Sequence, residues 1–416
     1  MSASIPPHFY QCISCKRRFE PEERVFTCPD CGPRNGTLDV MYHDIEQVSA
    51  PGKGRLISEN QGGHWRYRNL LPIPLDADIP AIPVGDTPLF RARRLEQLLG
   101  CRAIYLKDDT RNPSGSLKDR ASSVAVCHAL WQGYSDLATA STGNAGISLA
   151  FWAAAFSASS HVFVPERATD TALAMLGMFG AKVYRVSGSY DQAFEQCGMA
   201  VERFGWYNRN TGINPVLGEG KKTAALEIAE SMAGRPPDAV VVAVGDGCIF
   251  GGLWKGFQDA RKLGWIGHAP RLYGIQSQGA DPLARAFQSG SESFQPVEPQ
   301  TVADSIAVGN PRDAMKALRA ARESGGALIS VPDEAMLEAQ RMLGREVPIF
   351  VEPASAASLA GLQVLLERGD IQRSEHVVLV MTGTGLKDIP TAKKAVQTHI
   401  VDIGTSVKDL GNITHQ

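Results

Sequence analysis

Absent from this 416-residue chain is any run near the roughly 18 apolar residues that a membrane-spanning helix needs. The opening MSASIPPHFYQC has no apolar core of a signal peptide either, so a cytoplasmic protein outside the membrane is the expectation. There is no charge excess: 42 Lys+Arg face 44 Asp+Glu, formally −2. A phosphate backbone therefore has no basic surface to hold it, and nucleic acid is excluded as the default partner. The 41 Gly and 25 Pro are dispersed, so no low-complexity tract exists. No repeat of fixed period is visible, and the nine His show no HExxH-like spacing.

What is present is uneven. Four of the eight Cys fall within the first 31 residues, as Cys12-x-x-Cys15 and Cys28-x-x-Cys31. Two CxxC pairs separated by twelve residues match the four-thiolate site of a structural zinc better than a redox pair. In a reducing cytoplasm disulfides are rare, so a zinc-ribbon-like leader over residues 1–50 is expected. Cys101, Cys127 and Cys197 stand in apolar surroundings and read as core.

Residues 51–100 carry Gly and Pro at short intervals, which reads as a surface-wrapping connection. From Arg102 apolar strand-like runs alternate with helical segments. The runs are 103–106, 161–164, 182–186, 239–244, 271–275 and 377–381. Near-continuous apolar strands between helices predict an α/β fold with open, mostly parallel sheets flanked by helices. Six strands over that length suggest two lobes with a cleft, in a catalytic region spanning 101–400 and followed by a tail, 401–416.

Four strand-end segments carry chemistry. Asn112-Pro113-Ser114-Gly115-Ser116-Leu117-Lys118 turns from a strand into a helix that Lys118 opens, with Ser116 as a possible cap. A lysine near the positive end of a helix dipole keeps a usable free amine for a Schiff base. Ser141-Thr142-Gly143-Asn144 offers hydroxyl, amide and backbone N–H groups at a helix start, an anion cradle suited to a carboxylate. Gly245-Asp246-Gly247-Cys248-Ile249 follows a strand and would place backbone N–H groups around a phosphate. It lacks the full G-x-G-x-x-G spacing of a dinucleotide turn. Thr382 ends a strand at its carboxyl edge, where α/β folds bind ligands. The stretch 304–311 is a further candidate lining of the cleft.

In this order the loops resemble the fold type II pyridoxal-phosphate (PLP) enzymes, and within them the threonine synthase family. NPSGSLKDR is similar to that family's Asn-Pro-Thr-Gly-Ser-Phe-Lys-Asp-Arg. Glu219-Gly220-Lys221-Lys222-Thr223, the run from Glu352 to Ala357 and Thr382-Gly383-Thr384-Gly385-Leu386-Lys387-Asp388 match further landmarks, so the resemblance spans about residues 1–395. It implies that Lys118 holds the cofactor, Asn144 contacts its 3-hydroxyl and Thr382 faces its ring nitrogen. It also implies that Gly245, Asp246, Gly247, Cys248 and Ile249 hold the cofactor phosphate, and that Ser141, Thr142, Gly143 and Asn144 hold a substrate carboxylate.

The implied activity is γ-elimination and β-hydration of O-phosphohomoserine to threonine, in a homodimer acting on a small amino acid. The alternatives are another PLP elimination or replacement enzyme, a serine/threonine dehydratase-like deaminase, and a silent relative. Departures from the family bear on that choice. Leu217 stands where the family has an Arg for the substrate phosphate, and Ala145 where Thr is common. Arg209 and Lys221 are then the cations left to hold a phosphate dianion.

Overall fold

The computed structural model describes residues 5–43, 45–47, 62–141, 143–166 and 168–396. The expected boundary at 50, Thr142 and the tail 401–416 lie outside the described residues. The strands are β1 (His8–Cys12), β2 (Arg18–Phe19), β3 (Leu38–Tyr42), β4 (Leu89–Arg91), β5 (Ala103–Asp108), β6 (Asp136–Ala140) and β7 (Ser159–Pro165). They continue with β8 (Lys182–Val186), β9 (Tyr207–Asn208), β10 (Ala239–Ala243), β11 (Arg271–Ser277), β12 (Ala327–Val331) and β13 (His376–Met381).

They form three sheets, ordered β2-β1-β3, β12-β11-β10-β13-β5-β4 and β8-β7-β6-β9. The leader sheet is antiparallel. The two larger sheets are parallel except for the edge strand β4, which runs antiparallel to β5. All six expected strands exist. Strands β6 and β12 lie outside the six expected runs.

Burial on both faces explains the continuous apolar runs of the large sheet. Val240 and Val242 of β10 pack with Phe250, Leu253 and Phe257 from the helix Cys248–Lys262. Their neighbour Val241 points the other way, toward Ala356, Leu359 and Leu362 of the helix Pro353–Arg368. The period of two thus serves two cores at once. Strand β8 differs: as an edge strand it leaves Val183 and Tyr184 exposed.

The connection before β4 is not the surface wrap its Pro content suggested. Among its described residues Trp65, Tyr67, Leu70, Leu71 and Ile73 are buried. Tyr67 Oη donates to Glu230 at 2.6 Å, and Arg66 pairs with the same carboxylate at 2.8 Å. Pro forbade regular structure there, but the aromatic and aliphatic side chains still found the core. The leader is docked as firmly. Tyr42 Oη donates to Glu219 Oε2 at 2.7 Å, and Lys316 Nζ donates to the Leu38 carbonyl at 2.6 Å. Among the described residues no helix is long and apolar enough to cross a membrane.

Candidate functional site

Three neighbouring strands, β10, β13 and β5, point their carboxyl ends at one place, and β6 of the smaller sheet ends opposite them. The four loops singled out in the sequence follow those four strands, so parallel topology alone brings them to one cleft. The cleft is open to solvent, and its lining includes Lys118, Ser141, Asn144, Lys221, Cys248 and Thr382. Gly143, Gly245, Asp246, Gly247 and Ile249 also line it, as do residues 304–308.

The lysine turn is held from behind. Lys118 is the first residue of the helix Lys118–Trp131, but Ser116 does not cap it: the N-cap is Leu117, without a side-chain cap bond. Asp119 takes over that role in reverse. Its carboxylate accepts from Ser114 N at 2.7 Å, Ser114 Oγ at 2.6 Å and Ser148 Oγ at 2.8 Å. Arg120 lies fully buried between Asp109 and Glu227, at 2.7 Å from each. Such a pair is costly to desolvate but rigid once satisfied. In this Lys-Asp-Arg run only the lysine lines the cleft.

The Lys118 amine is shifted down to about 8, first by burial, then by the neighbouring Lys221, with Glu352 opposing. The free amine anticipated from the helix dipole is therefore explained chiefly by desolvation and a like charge. Lys221 is fully buried, and its Nζ has no hydrogen-bond partner among the described residues. Arg209 is also fully buried. Its Nε and Nη2 donate to Ser122 Oγ at 3.2 and 3.0 Å, while Nη1 is likewise unpaired. Burial pushes the Arg209 guanidinium down to about 10. Two buried cations with unused donors beside an amine form a site that calls for an anion.

An anion cradle lies alongside. Gly247 caps the helix Cys248–Lys262 with φ +95°, and a Cβ there would come within 2.8 Å of the Asp313 carbonyl. Only glycine lets the loop turn that tightly. The first N–H groups of that helix, which lack intrahelical partners, form its positive end beside the loop. The Asp246 carboxylate accepts from Arg312 N at 3.1 Å. Burial shifts its carboxyl upward. The Cys248 thiol is buried in an apolar cluster.

Thr382 directly follows β13, and its Oγ1 lies 3.0 Å from Ser355 Oγ. Ser355 also accepts from the backbone N–H groups of Thr382 at 3.0 Å and Gly383 at 2.8 Å. Asn144 opens the helix Asn144–Ala155 and donates through Nδ2 to Glu352 Oε2 at 2.9 Å and Ser305 Oγ at 3.1 Å. Ser141 Oγ accepts from Gly143 N at 3.1 Å.

Leu217, by contrast, is fully buried in the core with Val216 and is not among the cleft-lining residues. From the sequence, Glu352, Ser355 and Lys387 are named only as parts of family landmarks, without a role in the site.

The four leader thiols of Cys12, Cys15, Cys28 and Cys31 lie within 4.8 Å of one another, and all four cysteines are free. The Sγ atoms of Cys15 and Cys28 are 3.7 Å apart. A tetrahedral site with Zn–S bonds of about 2.3 Å requires thiol separations of about 3.8 Å, so the donor set fits zinc.

Comparison with known proteins follows the same lines. A family model described as pyridoxal-phosphate dependent enzyme matches residues 81–383. The threonine synthase of Methanocaldococcus jannaschii is 38% identical over 392 residues, covering 94% of this chain and 95% of that protein. The threonine synthase of Methanosarcina acetivorans is 39% identical over 383 residues, 92% of each chain. Among solved structures, a pyridoxal 5'-phosphate-dependent aspartate racemase superposes with a TM-score of 0.65 at 20% identity, covering 74% of this chain and 92% of its own. The serine racemase of maize superposes with a TM-score of 0.62 at 20% identity, covering 74% and 91%.

Proposed function

The chain belongs to the pyridoxal-phosphate-dependent enzymes and, within them, to the threonine synthase family, and from that premise we propose that it converts O-phosphohomoserine to threonine and phosphate. It is a fold type II lyase. The observation that carries the substrate is Lys221, a buried cation of the cleft wall next to the Lys118 amine, whose Nζ has no hydrogen-bond partner among the described residues.

The residues divide the work as follows. Lys118 would hold the cofactor through its amine, and as a free amine in the cleft it would move protons at the substrate carbons. The cofactor supplies an electron sink for carbanion chemistry. The loop from Gly245 to Ile249 holds the cofactor phosphate through backbone N–H groups at the helix start. Thr382, tied to Ser355, offers a neutral hydroxyl to the ring nitrogen. Ser141, Gly143 and Asn144, with Thr142, receive the substrate carboxylate. Lys221, with Arg209 behind it, receives the substrate phosphate in place of the family's arginine. Since Leu217 is sealed in the core, a phosphate in the cleft must be met by cations from other positions.

A product assay tests this. With O-phosphohomoserine the enzyme should release equimolar threonine and phosphate. Ammonia release from serine or threonine at a higher kcat/KM would overturn the reading in favour of a deaminase.

The leader is proposed to carry one structural zinc on Cys12, Cys15, Cys28 and Cys31, and the enzyme to act as a cytoplasmic homodimer. Metal analysis should find about one zinc per chain. Because metal binding and folding of such a ribbon are one equilibrium, a strong chelator should expose the leader to protease before the α/β core. Zinc-free protein from reducing, zinc-replete expression, or a core that opens first, contradicts the assignment.

A further inference from the structure

One side chain reaches the cleft wall without a part in the chemistry assigned so far. Lys387 ends the 3₁₀ turn Gly385–Lys387, five residues beyond Thr382, and its ammonium donates to Asn144 Oδ1. On the other side the Asn144 carboxamide donates through Nδ2 to both Glu352 oxygens, at 2.9 and 3.2 Å, and to Ser305 Oγ. Ser305 Oγ also donates to Glu352 Oε2 at 3.1 Å. A cation at the oxygen and a carboxyl group at the nitrogen leave the amide one orientation. Flipping it would set oxygen against Glu352 and NH₂ against ammonium.

The lysine turn is shaped to admit this side chain. Gly115 has φ +77°, and a Cβ there would lie 3.3 Å from Lys387 Cε and 2.8 Å from Thr384 Cγ2. The backbone of the same turn is bonded to the same segment, Leu117 N to the Thr382 carbonyl at 2.9 Å and Thr384 N to the Gly115 carbonyl at 3.0 Å. Lys118 and Lys387 therefore ride on two interlocked segments. Both amines act electrostatically on the buried Glu352 carboxyl, whose direct partners are the Asn144 amide and Ser305.

We propose that Lys387 is a positioning residue: it locks the Asn144 carboxamide so that one N–H stays on Glu352 while the other, which here meets Ser305 Oγ, is turned to the cleft and can pass to a ring oxygen of the bound cofactor. The inference rests on the reading that PLP occupies this cleft beside Asn144. It requires one donor on the oxygen side of the amide, and Lys387 supplies it.

The test uses cofactor-stripped full-length protein titrated with PLP, comparing wild type, K387M, N144A, the K387M/N144A double variant and K387R. The dissociation constant and the visible band of the bound cofactor are read for each. K387M and N144A should each weaken PLP about tenfold, the scale of one charged hydrogen bond, and should displace the visible band in the same direction. The double variant should bind no more weakly than N144A alone, because Lys387 acts through Asn144. K387R should recover both readouts. Should K387M fail to fold, K387Q takes its place.

Wild-type affinity and an unmoved band in K387M would overturn the proposal, as would losses that multiply in the double variant or an arginine that restores nothing. Borohydride reduction keeps the premises apart. A wild type without a reducible adduct at Lys118 overturns the cofactor reading along with this one. An adduct with indifferent Lys387 variants overturns this one alone.

Discussion

Replacing Lys118 by alanine is expected to abolish both the borohydride-reducible cofactor band and turnover. No second lysine can take over. Lys221, which lines the cleft beside Lys118, is given to the substrate phosphate, and Lys387 is committed to Asn144. Proton transfer by a positioned amine is worth roughly 10²–10⁴ in rate, and loss of covalent attachment adds to that. The effect should therefore exceed that of any other single substitution in the cleft. The shifted amine also has a pH consequence. With its value near 8, about half of the Lys118 amines are free at that pH, whereas an ordinary lysine near 10.4 would be almost wholly protonated. PLP uptake by the stripped enzyme should accordingly rise with pH through about 8. A lysine variant that retains reducible cofactor, or uptake that rises only above pH 10, contradicts the role given to Lys118.

The sequence carried the parts of this molecule that depend on local pattern. Two CxxC pairs, six apolar runs and four loops at strand ends were all visible because each is a contiguous signal. The structure places each loop at the carboxyl end of a parallel strand, around one cleft. Strand β12, Ala327–Val331, is no shorter than β8 or β10, but Ser330 interrupts its apolar run. The buried connection around Trp65 to Ile73 escaped because Pro and Gly report backbone freedom and say nothing of where the side chains go. The positioning residues escaped for a different reason. Glu352, Ser355 and Lys387 acquire meaning only when β13 sets them beside Asn144 and Thr382, more than 200 residues from the former in the chain. Ser116 fails as a cap because a serine two residues before a helix start caps it only if its backbone is extended into it. Here its hydroxyl is buried without a partner among the described residues, and Leu117 precedes the helix.

The sharpest expected contrast concerns the substrate phosphate. Leu217 stands at the family's arginine position, yet it is buried in apolar surroundings and offers the cleft nothing. A phosphate dianion entering the cleft would instead meet Lys221, whose Nζ has no hydrogen-bond partner among the described residues, with Arg209 Nη1 also unpaired. A hydrogen bond to a charged group is worth about 1.5–3 kcal/mol, so losing one should raise KM for a phosphorylated substrate about ten- to a hundredfold. Lys221→Ala should produce that rise with O-phosphohomoserine while leaving KM for an uncharged amino acid nearly unchanged. Arg209→Ala should act in the same direction but less, because two of its three nitrogens already serve Ser122. Lysine binds phosphate as a point charge, so Lys221→Arg is not a neutral replacement. If both alanine variants keep wild-type KM for O-phosphohomoserine, the phosphate site lies elsewhere. If Lys221→Ala instead loses PLP at unchanged KM, its charge serves the cofactor's phosphate, held by the neighbouring helix start at Gly247.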